Sequence, residues 1–99
     1  MVLMSTKSFI GGAQIGNMNA TMPFARLLVS NGELSIHCFR TIDLTPKEVT
    51  CEPIGRIPLL STRIQFHHIR PDYPWPLIFY CFRITPIMEC LRKAGFEVQ

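Results

Sequence analysis

Residues 33–39 alternate: Leu34, Ile36 and Cys38 fall on one side, Glu33, Ser35 and His37 on the other. A period of two predicts a strand with one buried face. Just before it, Asn31-Gly32 separates this stretch from the apolar run 24–30. Asn-Gly tolerates positive φ at both turn positions and so predicts a two-residue hairpin. Ile42 and Leu44 carry the alternation past Arg40. Residues 63–68 alternate again, with Ile64, Phe66 and His68 opposite Arg63, Gln65 and His67. The run 77–82 is apolar throughout and predicts a buried strand.

The interruptions are as informative as the runs. Thr45-Pro-Lys-Glu48 matches a capping box with Pro at the first helical position, which predicts one turn leading into 49–52. Pro53, Gly55 and Pro58 break the next stretch, and three prolines in 70–76 exclude a central strand there. Thr85 is the expected N-cap of a closing helix, with Pro86 at its first position and Arg92 and Lys93 in its last turn. Ile87, Leu91 and Ala94 form its apolar stripe, with Met88 alongside. Gly95 is placed for a left-handed cap and Phe96 for the fold-back contact of a Schellman motif. Residues 1–7 read as a frayed leader. Gly11, Gly12, Gly16, Asn17 and Asn19 predict turns or a short bulged strand over 8–21. The expected fold is mainly β (α+β): one domain over 8–99, a bent antiparallel sheet or small barrel carrying one C-terminal amphipathic helix.

Composition narrows the function classes. At 99 residues, 47% hydrophobic and 17% charged, the chain is globular, with room for one core. The net charge of +3 is small, and the basic residues are scattered without an aromatic-basic pattern, so no nucleic-acid partner is expected. No stretch nears the ~20 apolar residues of a membrane span, and Met1-Val-Leu-Met4 lacks the layout of a secretory signal. Cys38, Cys51, Cys81 and Cys90 lie in apolar stretches without a C-x-x-C pair, which predicts buried, reduced thiols and a cytoplasmic location. Without a nucleophile elbow, phosphate loop or paired carboxylates, the chain reads as no enzyme and no cofactor is assigned.

The densest chemistry is His67-His68 followed by Arg70, Asp72, Tyr73 and Trp75. Adjacent histidines on a strand face opposite ways and do not chelate together, so no metal is assigned. His68 is expected in the core with a hydrogen bond, and His67 in solvent. Prolines stiffen the loop 70–76, which presents aromatic and arginine side chains at low entropic cost. Arg63, His67, Arg70, Tyr73 and Trp75 are therefore expected in one partner-binding patch. The competing expectation is that Tyr73 and Trp75 pack inward as a plug.

Taken together, 23–27 (Pro-Phe-Ala-Arg-Leu), Ile57-Pro58, His67-His68, 70–74 (Arg-Pro-Asp-Tyr-Pro) and 79–82 (Phe-Tyr-Cys-Phe) resemble small bacterial proteins of the pleckstrin-homology-like (PH-like) class. The resemblance spans about residues 23–96. It implies a roughly seven-stranded bent barrel closed by the helix and used as a binding scaffold. Phosphoinositide-binding members use a basic first hairpin loop, whereas Ser30-Asn-Gly-Glu33 has no Lys or Arg and carries an acid. The expected ligand is a protein or peptide. The alternative is a self-associating structural module that pairs through an exposed strand edge.

Overall fold

The computed structural model describes residues 6–54 and 63–99. Strands β1 (Lys7–Ile15), β2 (Met18–Ser30), β3 (Glu33–His37), β4 (Thr41–Leu44), β5 (Val49–Ile54), β6 (Arg63–His68) and β7 (Leu77–Tyr80) precede helix α1 (Thr85–Lys93) and a short β8 (Glu97–Val98). One sheet contains them in the order β4-β3-β2-β1-β7-β6-β5-β8. It is antiparallel except where β8 lies parallel to β5. The sheet is open and strongly curled, forming a half-barrel. Among the described residues no helix is long and apolar enough to cross a membrane.

The alternation read from the sequence sets the inner face. Leu34, Ile36, Ile42, Leu44, Ile64 and Phe66 are all buried, as are Leu77 and Phe79 of β7. The run 77–82 differs from its expected uniform burial: Ile78 and Tyr80 are half-buried and Phe82 is exposed. β7 has strands on both sides but no layer on its outer face, so only alternate residues enter the core. Ile87, Leu91, Ala94 and Phe96 close that core from the helix side.

Helix α1 starts one residue earlier than its sequence suggests. Ile84, not Thr85, is the N-cap, and it makes no side-chain capping bond. Ile84 is itself buried, so core packing sets the entry of the helix where a hydroxyl cap was expected. Its other end is the expected Schellman motif: Phe96 N–H donates to the Leu91 carbonyl at 2.9 Å and Gly95 N–H to the Arg92 carbonyl at 3.1 Å. Gly95 sits at φ 99°, open to glycine without steric cost. The β2–β3 turn docks here, Gly32 N–H donating to the Ala94 carbonyl at 3.0 Å. In that turn only Gly32 has positive φ, so Asn31 does not take the left-handed form expected of it.

The amino-terminal hairpin departs most from expectation. Lys7 already belongs to β1, while residues 1–5 of the expected leader lie outside the described residues, as do Gly55, Ile57 and Pro58. β1 and β2 form the first hairpin through Gly16-Asn17, a turn that also lacks Lys and Arg. The register does shift here, but the extra residues lie on β2 and not in the glycine-rich stretch: Gly11 pairs with Ala25 and Ala13 with Ala20, so Gly12 alone faces residues 21–24. β1 is poor in strand-forming side chains, but β2 and β7 hydrogen-bond it from both sides. Gly12 lets the Tyr80 ring come close to the backbone, and the Tyr80 hydroxyl reaches the Ala20 carbonyl at 2.8 Å and Asn19 Oδ1 at 2.7 Å.

A Cβ at Gly12 would overlap the Tyr80 ring and stand 2.6 Å from the Ala20 carbonyl oxygen. Gly12→Ala should therefore cost about 1–3 kcal/mol, as overpacking does. A denaturant midpoint equal to wild type would contradict this packing.

Candidate functional site

The loop between β6 and β7 is built on His68. This side chain continues the inner row of Ile64 and Phe66 and is buried. Its Nδ1 accepts the Arg70 backbone N–H at 3.1 Å, and its Nε2 lies 3.0 Å from the Pro74 carbonyl. One ring nitrogen therefore accepts and the other donates, which defines a neutral imidazole protonated on Nε2. Both ends of the loop are thereby tied to one buried ring. Trp75 stacks on it at 4.9 Å and 20°, and Tyr73 meets it edge-on at 6.2 Å.

Arg70 ties the loop to the rest of the sheet. Its Nε and Nη2 fork onto both Asp72 carboxylate oxygens at 2.9 and 2.7 Å, and Nη1 donates to Glu48 Oε2 at 2.8 Å. Glu48 belongs to the expected capping box: its Oε1 accepts the Thr45 N–H at 3.1 Å and the Thr45 hydroxyl at 2.7 Å. Two guanidinium groups lie over the Tyr73 ring, Arg70 at 4.7 Å and Arg40 at 5.3 Å from its centroid. Its hydroxyl accepts the backbone N–H of Asp43 at 3.1 Å. Asp43 is on the edge strand β4, so the loop reaches across the open side of the half-barrel and takes up an edge donor.

These contacts set the charge states. Hydrogen bonds from Thr45, then from Arg70, hold the Glu48 carboxyl below its ordinary range. The Arg70 hydrogen bonds hold Asp72 below its range, and those two carboxylates raise Arg70 further. On the outer face His67 Nε2 stands 2.8 Å from Glu52 Oε1, and its ring lies 5.7 Å from Trp75.

The five residues expected in one patch divide into three groups. His67 and Trp75 share an accessible surface; Trp75 is 49% exposed. Arg70 and Tyr73 are adjacent to them, but their polar atoms and ring faces are engaged within the fold. Arg63 is elsewhere: at the far end of β6 it faces Tyr80 and lines a separate 250 Å³ hollow with Gln14, Asn19 and Ile78. Four residues of strand put it ~13 Å from His67. The same alternation that pairs their faces also sets them apart along the strand. The plug expectation thus describes Tyr73, and the exposed-aromatic expectation describes Trp75.

Arg40, Glu52 and Asp43 were not anticipated at this site, since each comes from a strand or turn distant in sequence. His67 is half-buried against Glu52 instead of fully solvated. Among the described residues no group of three or more His, Cys, Asp or Glu side chains is arranged to hold a metal. Of the thiols expected to be buried only Cys51 is, and burial pushes it up to about 12. Cys38, Cys81 and Cys90 are half-buried, near the rims of the core instead of inside it. No protein-family model, curated protein or solved structure matches this chain.

The Arg70 cluster makes the fold acid-sensitive. Carboxyls depressed in the folded state stabilise it above their unfolded pKa, near 4, and that contribution disappears as pH falls through the folded values. Thermal melts from pH 7 to pH 2 should show a steeper fall for wild type than for Arg70→Met. Parallel pH profiles would show that the ion pairs do not contribute.

Proposed function

We propose that this protein is a non-catalytic binding module that takes a protein or peptide segment on the surface around Trp75. The observation that carries this reading is the Trp75 ring, half exposed yet stacked on a buried histidine whose two nitrogens are both hydrogen-bonded. A large aromatic already fixed in place loses little entropy on binding, which is what an interface anchor needs. The His67–Glu52 pair supplies polar atoms at its edge, and exposed Ile69 and Phe39 follow or precede His68 and Arg40 in the chain. Arg40 lies over Tyr73 and its charge acts on Asp72, but it makes no ion pair among the described residues, so an acidic group on the ligand would be its first close partner.

Kinship with PH-like domains belongs to the same proposal. Its support is the curled, mostly antiparallel sheet with a helix near the carboxyl end; the extra strand β8 after that helix departs from the expected pattern. Self-association through the β4 edge is the less favoured reading, because the Asp43 N–H on that edge is already bonded to Tyr73.

Trp75 is the single tryptophan of the chain, so its fluorescence reports this surface alone. Peptides selected from a random library on the wild-type protein should shift that emission. They should bind Trp75→Ala about 30-fold or more weakly, the loss of a hot-spot anchor. Selected peptides that bind both proteins equally would contradict the assignment.

A further inference from the structure

A second concave feature lies away from the loop, between the start of β1 and helix α1. It is a cleft of about 320 Å³ lined by Lys7 and Phe9 from the strand and by Pro86, Glu89, Cys90 and Lys93 from the helix. Its two ends differ in chemistry. Lys7 pairs with Val29, close to the β2–β3 turn, and that turn holds the carboxyl end of α1 through the Gly32–Ala94 hydrogen bond. Lys7 and Lys93 therefore share one end. A Cβ on Gly11 would lie 3.2 Å from the Cys81 Cβ, which places the chain leading into the helix beside the middle of β1, on the far side of Phe9 from Lys7. Phe9 and Pro86 belong to the end of the cleft on that side.

The cleft is thus graded from two ammonium groups to an apolar floor. Burial raises the Cys90 thiol, while the charges of Lys7 and then Lys93 oppose that rise, so both cations lie within electrostatic reach of the same sulfur. Neither lysine is ion-paired among the described residues, although Glu89 stands one helical turn from Lys93. Two unpaired cations and one carboxylate leave the rim net positive.

We propose that this cleft binds a free aliphatic carboxylate, with its head between Lys7 and Lys93 and its chain along Cys90 toward Phe9 and Pro86. Lys93 lies seven positions along the helix from Pro86, ~10 Å of rise, which suits a chain of about eight carbons. The charge gradient selects this occupant: an uncharged chain would leave both ammonium groups unused, and a small anion would leave the apolar floor wet.

Octanoate, below its micelle threshold, is the probe, and maleimide labelling of Cys90 followed by peptide mapping is the readout on the full chain. At about ten times its dissociation constant, octanoate should slow Cys90 labelling about tenfold, by simple occupancy. Labelling of Cys38 and Cys81 should not change, and Cys51 should stay unlabelled, reporting an intact fold. Lys7→Gln with Lys93→Gln, both at exposed positions, should remove the protection while circular dichroism stays that of wild type. No protection by octanoate, equal protection by octan-1-ol, or protection that survives the double substitution would each overturn the proposal. Because Trp75 plays no part in the readout, failure here is distinct from failure of the peptide-binding surface.

Discussion

A sheet that curls without closing leaves an inner face to be covered and two edges to be satisfied. Much of this molecule answers that constraint. Ile87 and Leu91 of helix α1, with Ala94 and Phe96 of the turn after it, cover the inner face, and that Schellman turn sends the chain back along β5. β8 takes up the outer edge of β5, where Gln99 N–H adds one more bond to the Cys51 carbonyl at 2.8 Å. The opposite edge, β4, receives the Tyr73 hydroxyl. The proline loop is therefore part of the closure, and Trp75 is exposed because its neighbours are engaged in that closure.

This explains why structural and functional roles alternate along so short a segment. His68, Arg70 and Tyr73 each make at least two specific contacts inside the fold. Trp75 contributes only stacking and leaves about half its surface to solvent. A loop pinned at three points can present one aromatic with little motion of its backbone. The pleat supplies the rest: His67 and His68, adjacent in sequence, lie on opposite faces, and the Trp75 ring meets both.

The alternating strands are legible, at Leu34 and Ile36, at Ile42 and Leu44, and from Ile64 to His68, because burial of one face leaves a period-two imprint; the bend at 38–40 that folds β4 back on β3 leaves none. So is the Schellman end of α1, whose signals are all local. The β1–β2 hairpin is not. Its residues carry weak strand preference, and its pairing is set by β7 and by the Tyr80 ring over Gly12, a contact between residues far apart in sequence. The site is legible in the same measure. The chain order announces a stiff aromatic loop and a core histidine, but not Arg40 over Tyr73 or Asp43 against its hydroxyl. Arg63 and His67 share a face of β6, and only strand length separates them.

Whether Tyr73 closes the β4 edge can be read from amide hydrogen exchange at Asp43. An edge-strand N–H pointing away from β3 would ordinarily exchange fast. Asp43 should be protected in wild type and lose that protection in Tyr73→Phe. The amides of Ile42 and Leu44, which alternate toward β3, should remain slow in both. Rapid exchange of Asp43 in the wild-type protein, or unchanged protection in Tyr73→Phe, would contradict that closure.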